Sequence, residues 1–113
     1  MEVNTVVISG NLTKDPELRY TPENIAVCSF VIGHNKVKYV NNEKTDELYF
    51  FMINTWDRTA ENVCKYLKKG DGVIVEGWLR QERWEKDDGT KVDKVRIVAK
   101  RVNFYPKRTK EDC

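Results

Sequence analysis

Apolar and polar positions alternate with a period of two along most of this chain, and the period lengthens in one place only. From Val3 to Ser9 the residues are β-branched and apolar until Gly10-Asn11 interrupts them, which predicts a first strand ending in a bulge or bend. Asp15-Pro16-Glu17 reads as a turn or loop, because proline fixes φ and keeps the residue before it out of helix. Ile25 to His34, rich in Val, Ile and Phe, predicts a second strand, and Glu47 to Trp56 a third. The polar stretch from Lys36 to Asp46, with Asn41-Asn42 inside it, predicts a long and mobile hairpin connection. Tyr49, Phe50 and Phe51 are consecutive, so they divide between the two faces of their strand, and at least one points outward or toward a partner.

Between Asp57 and Gly70 the spacing changes: Ala60, Val63, Cys64 and Leu67 fall at i, i+3, i+4 and i+7, the stripe of one helix face. Asp57 or Thr59 is placed to cap the start, Lys65, Lys68 and Lys69 complement the negative end of the dipole, and Gly70 can adopt the left-handed turn that stops the helix. A fourth strand runs from Val73 to Trp84, with Val73, Val75, Gly77 and Leu79 on one face and Ile74, Glu76, Trp78, Arg80, Glu82 and Trp84 on the other. Asp88-Gly89 marks a tight turn, and Val92 to Phe104 a fifth strand. Three strands, a helix and two more strands predict an all-β, five-stranded Greek-key barrel of the oligonucleotide/oligosaccharide-binding (OB-fold) type, with one α-helix between strands three and four. The domain is expected over residues 1–105, and the polar tail 106–113 is expected to be disordered.

Composition narrows the class. At 113 residues, 40% hydrophobic and 34% charged, with 3 Pro and 6 Gly, the chain suits one folded domain and neither a disordered polymer nor a membrane span. The net charge of +2 is too small to indicate a polyanionic partner, so any basic footprint is local. Cys28, Cys64 and Cys113 are odd in number and show no C-x-x-C spacing, which argues against zinc and against a secreted disulfide scaffold. The first residues have neither a basic start nor a long apolar run, so no secretory signal is read there and the cytoplasm is the expected compartment.

Trp56, Trp78 and Trp84 carry the chemistry, each near a guanidinium group: Arg58, Arg80 and Arg83. Trp84 sits within Gln81-Glu82-Arg83-Trp84-Glu85-Lys86-Asp87-Asp88, where no apolar neighbour shares a core with it, so its ring is expected at the surface. Flat rings beside cations stack on unpaired bases and hold their phosphates. An enzyme is the weaker alternative: His34, the single histidine, ends a strand, and Glu43, Asp46, Glu47, Asp87 and Asp88 sit in turn-like segments rather than around a metal for phosphodiester cleavage.

From Val3 to Phe104 the chain resembles the bacterial single-stranded DNA-binding protein family (SSB). The resemblance is carried by Asn4-Thr5-Val6-Val7-Ile8-Ser9-Gly10-Asn11-Leu12, Asp15-Pro16-Glu17-Leu18-Arg19-Tyr20, Ala60-Glu61, Tyr66-Leu67-Lys68-Lys69-Gly70 and Val75-Glu76-Gly77-Trp78-Leu79, in that order and spacing. It implies a barrel that assembles as a homotetramer, binds single-stranded DNA during replication, recombination and repair in the cytoplasm on the nucleoid, and uses no metal, cofactor or catalytic step. The stacking aromatics it implies are Phe50, Trp56 and Trp84, with Lys38 standing where a further ring would be and Tyr39 beside it. The phosphate contacts it implies are Arg58, Lys69, Arg80 and Arg83, and Ile74, Glu76 and Trp78 fall where another subunit would meet the strand. The family's Gly/Pro-rich linker and acidic tip, which recruits replication and repair proteins, has no counterpart before Cys113, so either a longer parent or a short form is open. A dimeric primosomal-type OB module and an RNA-binding OB module are the alternatives to DNA coating.

Overall fold

The period-two pattern becomes six strands and one helix in the computed structural model, which describes residues 1–105. The elements are β1 (Val6–Leu12), β2 (Glu17–Tyr20), β3 (Ala26–Val40), β4 (Glu43–Trp56), α1 (Asp57–Tyr66), β5 (Gly72–Glu85) and β6 (Lys91–Tyr105). The sheet order is β1-β5-β6-β4-β3-β2, and β3 returns to β1 through Asn11 opposite Gly33 and Leu12 opposite Ile32. Five long strands therefore close into the expected barrel, all neighbours antiparallel except β4 and β6, with the single helix following the third of them. The expected tail, with Cys113, lies outside the described residues.

Inward positions of the strands fill the barrel: Cys28, Ile32, Ile53, Val73 and Val75 are fully enclosed, and Ala60 and Val63 of α1 plug one end, as the helical stripe predicts. Thr55 is enclosed with them and satisfied by donating its hydroxyl to the Cys28 carbonyl at 2.9 Å. The Cys28 and Cys64 sulfurs lie 2.7 Å apart, joining β3 to the inner face of the helix. At Gly77 the β5–β6 register slips by one residue, and a Cβ there would lie 1.9 Å from the Val98 carbonyl oxygen, so only glycine fits the bulge.

Four local expectations are corrected. The first strand begins at Val6 rather than Val3 and continues past Ser9 to Leu12: Gly10 and Asn11 pair with Val73 and Gly72 of β5, and at Asn11 and Leu12 the strand passes to Gly33 and Ile32 of β3. Glu17–Tyr20 is a short strand, β2, paired to the start of β3; its alternation lasts only four residues, all of them exposed and directly after Pro16, too short to stand out as a periodic signal. The helix begins with Trp56 at its cap position and no side-chain cap, since Asp57 itself turns the corner at a left-handed φ of 56°, and it ends at Tyr66, short of Gly70. The segment from Lys36 to Asp46 is paired strand up to a two-residue turn, Asn41-Asn42, whose φ values of 52° and 65° are those of a tight hairpin. Its polarity comes from projecting beyond the core, not from being unpaired. The radius of gyration of 16.6 Å, against about 13 Å for a compact chain of this length, reflects such projecting ribbons.

Candidate nucleic-acid interface

Register places one set of side chains on a continuous outer wall. On β4, Phe50, Met52, Asn54 and Trp56 stand opposite Gly33, Val31, Ser29 and Val27 of β3. On β5, Trp78, Arg80, Glu82 and Trp84 stand opposite Val98, Arg96, Lys94 and Val92 of β6. The two pairs meet where Asn54 lies opposite Val98. Directly opposed residues project to the same side of a sheet, so the aromatics and guanidinium groups of both ribbons share this wall. Its floor is fixed: Asn54 is almost wholly buried and accepts a hydrogen bond from the Ser29 hydroxyl at 3.0 Å.

Trp56 stands at the centre. An extended φ of −131° at Trp56 followed by the left-handed Asp57 swings the chain from strand into helix and leaves the indole 37% exposed at the corner. Two hollows adjoin there, and both are lined by Trp56 and Arg80. One adds Arg58, Trp78 and Lys100; the other adds Arg19, Tyr20, Glu82 and Arg96. In the second, three guanidinium groups face a single lining carboxylate, and Arg19 also pairs with Glu17 at 3.3 Å. Arg80 and Arg96 are direct cross-strand partners, a like-charge pairing that costs stability in a free sheet. Glu82 lies 3.3 Å from the Arg96 Nε, which still makes no hydrogen bond. Concentrated, incompletely neutralised guanidinium charge beside exposed rings is a seat for an aromatic anion such as a nucleotide.

The structure brings Trp56, Arg58, Trp78 and Arg80 together in one hollow, joining Arg80 to Trp56 as well as to its strand neighbour Trp78. Phe50 is on the same wall, 60% exposed, about 20 Å up the strand from Trp56 at ordinary strand rise. Its ring lies over Gly33, with Cε1 3.7 Å from where a Cβ would sit. Trp84 occupies the far end of the β5–β6 ribbon, 41% exposed, with the Lys94 ammonium 5.7 Å from the ring centroid. Arg83 alternates to the other side of that ribbon: it lies 3.4 Å from Asp93 and donates to Gln81 at 3.3 Å, although a shallow hollow at the ribbon end is lined by both Arg83 and Trp84. Tyr39 projects on the Phe50 side near the hairpin tip, whereas Lys38 projects on the opposite side and pairs with Glu47. Hydrogen bonds from Lys38 and then Tyr49 hold the Glu47 carboxyl below its usual range, and Glu47 in turn raises Lys38 and Tyr49. Lys69 follows the helix at its far end from Arg58, its backbone N–H bound to Asp15 at 2.8 Å, outside both hollows. Ile74 and Glu76 stand opposite Ser9 and Val7 on the outer surface of β1 and β5, with Glu76 3.6 Å from Arg101.

Arg19, Tyr20, Arg96 and Lys100 also line the two central hollows and were not singled out from the sequence. Arg96 comes opposite Arg80 because the hairpin turns on three residues, Asp87-Asp88-Gly89; a two-residue Asp88-Gly89 turn would bring Ile97 there instead. Arg19 and Tyr20 required β2 to be recognised as a strand. Among the described residues, no group of three or more His, Cys, Asp or Glu side chains is arranged to hold a metal ion, and no helix is long and apolar enough to cross a membrane.

Comparison with known proteins agrees with this geometry. A sequence model described as the single-strand binding protein family matches residues 3–105. The chain is 41% identical over 102 residues to single-stranded DNA-binding protein 3 of Listeria innocua, covering 90% of this chain and 63% of that protein. It is 43% identical over 103 residues to the single-stranded DNA-binding protein of Treponema pallidum, covering 91% and 58%. A crystal structure of a deletion mutant of the single-stranded DNA binding protein from Thermus aquaticus superposes with a TM-score of 0.82 at 27% identity, covering 94% of this chain and 52% of that one. The chain thus spans less than two thirds of the length of these relatives.

Proposed function

We propose that this chain binds single-stranded DNA without reading its sequence, and the premise is its family: the chain belongs to the single-strand binding protein family. The observation that carries the proposal is the pair of adjoining hollows sharing Trp56 and Arg80, where exposed indoles are surrounded by Arg19, Arg58, Arg96 and Lys100. Bases stack on Trp56 and Trp78, and phosphates sit on the guanidinium groups, with Trp84 and Phe50 extending the wall along each ribbon. Stacking tolerates any base because each has a π-face, and it contributes about 1–3 kcal/mol per ring. The binding unit is residues 1–105, acting as a binder with no chemical step, on strands exposed during replication, recombination and repair in the cytoplasm and on the nucleoid.

Assembly into a homotetramer is part of the same proposal. Val7 and Ile74 leave apolar surface exposed on neighbouring strands β1 and β5, with Glu76 beside them, and an apolar patch of this kind is better covered by another subunit than by water. Sedimentation equilibrium reads the subunit number; a dimer would favour the primosomal-type module instead.

Titration of indole emission with oligo-dT tests the binding. Quenching at low salt that weakens as salt rises, with the strand recovered intact after incubation with Mg²⁺, is the expected outcome. Unquenched emission at low salt, or Trp56→Ala binding as tightly as the parent, would overturn it.

A further inference from the structure

A third hollow continues the wall onto the helix side. It opens between α1 and β6, has a volume of about 260 Å³, and is lined by Thr59, Tyr66, Lys100, Arg101 and Phe104 among others. Tyr66 and Phe104 are 58% and 45% exposed, and their rings stand 6.4 Å apart at 50° to one another, forming an open V. The Lys65 ammonium lies 5.2 Å from the Tyr66 centroid, and no carboxylate lines the hollow. Its volume is below the ~300–1,000 Å³ usual for small-molecule sites, so it suits a single ring on an open surface rather than an enclosed ligand.

Continuity with the central wall fixes what occupies it. Thr59 and Lys100 line both this hollow and the one that holds Trp56 and Trp78. Lys100 is the residue skipped by the ladder where Glu76 pairs with Arg101 and Gly77 with Ala99, and it makes no ion pair among the described residues. A free ammonium group therefore stands on the ridge between two aromatic seats.

We infer that a bound strand passes Lys100 and places a further base against Tyr66 and Phe104, with the adjoining phosphates on Lys100 and Arg101. This rests on the single-stranded DNA reading above. Aromatic faces flanked by cations have the chemistry of a nucleotide seat. Arg101 shares its charge with Glu76 at 3.6 Å, Lys100 is in no ion pair among the described residues, and the shared rim gives the strand an unbroken route into the hollow.

Photo-crosslinking of the parent protein to oligo-dT containing 5-iododeoxyuridine, followed by peptide mass mapping, tests the route directly and requires no variant to fold. Cross-links on Tyr66 or Phe104, together with those on the central wall, are expected. In parallel, Tyr66→Ala is expected to weaken binding of a strand of about sixteen nucleotides by roughly fivefold or more, while Tyr66→Phe binds like the parent. Tyr66→Ala binding at parental affinity, with no cross-linked peptide from α1 or the end of β6, overturns the seat. If Trp56→Ala still loses affinity in that case, the central binding reading survives; if the parent binds no single strand at all, both fall together.

Discussion

Replacing Arg80 by alanine separates a phosphate contact from a structural arginine. Arg80 lines both central hollows and makes no ion pair among the described residues. Each phosphate neutralised on a single strand contributes about 0.7 to the slope of log affinity against log salt. Arg80→Ala is therefore expected to flatten that slope by about 0.7, so that its deficit against the parent shrinks about fivefold over a tenfold rise in salt. Arg83→Ala is the internal comparison, because Arg83 alternates to the other side of the ribbon and already lies beside Asp93; its slope should change by less than half as much. Stability moves the other way. Arg80 is the direct partner of Arg96, and relieving a like-charge cross-strand pair is worth about 0.2–1 kcal/mol. Arg80→Ala should thus unfold in urea at the parental midpoint or above it while binding less well. Fluorescence titrations at several salt concentrations read the slopes. Equal changes for the two variants, or an Arg80→Ala that binds weakly at an unchanged slope, would refute the placement of the phosphate path.

Two further outcomes follow from the barrel. Gly77→Ala drives a methyl group to 1.9 Å from the Val98 carbonyl and is expected to destabilise the fold by about 3 kcal/mol or more, read by urea denaturation. Burial, then the hydrogen bond and charge of Cys64, raise the Cys28 thiol well above its ordinary 9.0. The unfolded chain gives up that proton from about pH 9 upward while the folded chain keeps it, so the stability the buried thiol contributes is whole below pH 9 and falls by about 1.4 kcal/mol per pH unit above it; comparing denaturation of the parent with Cys28→Ala between pH 8 and 10 isolates the slope.

Barrel and helix were legible because both rest on burial. Val73 and Val75, and Ala60, Val63 and Leu67, announce their inward faces by spacing alone, and all five are buried. Spacing fails where a strand leaves the core. Leu79 alternates with the inward set, yet it is 48% exposed although its cross-strand partner Ile97 is buried: β6 still closes onto β4 at this level while β5 is already leaving the barrel, and two residues further out along β6 Val95 is 59% exposed. The same loss of a buried face hid the paired strands on either side of Asn41-Asn42 and the whole of β2. In the site, Trp56, Arg58 and Arg80 were legible because a strand face and the strand end that follows it bring them together. Lys38 is separated by alternation from its neighbour Tyr39, and Arg83 projects to the other side of the ribbon from Trp84 and meets it only in the shallow hollow at the ribbon end.

The wall depends on two departures from regular structure more than on the strands themselves. Left-handed Asp57 ends β4 abruptly and leaves Trp56 at a corner instead of continuing the sheet. The bulge at Gly77 skips Lys100 in the ladder and sets the ribbon that carries Trp78 and Arg80. Bulges increase local twist and re-aim side chains, and here the corner and the bulge converge on one spot: Trp56, Asp57, Trp78 and Lys100 line a single hollow. A β-branched residue at position 57, which tolerates a left-handed φ poorly, or any side chain at position 77 would have to shift the backbone beneath that hollow. Binding should then fall further than the loss of folded protein alone accounts for. The same two residues that interrupt the period-two pattern are in this way the ones that hold the aromatic seats in register.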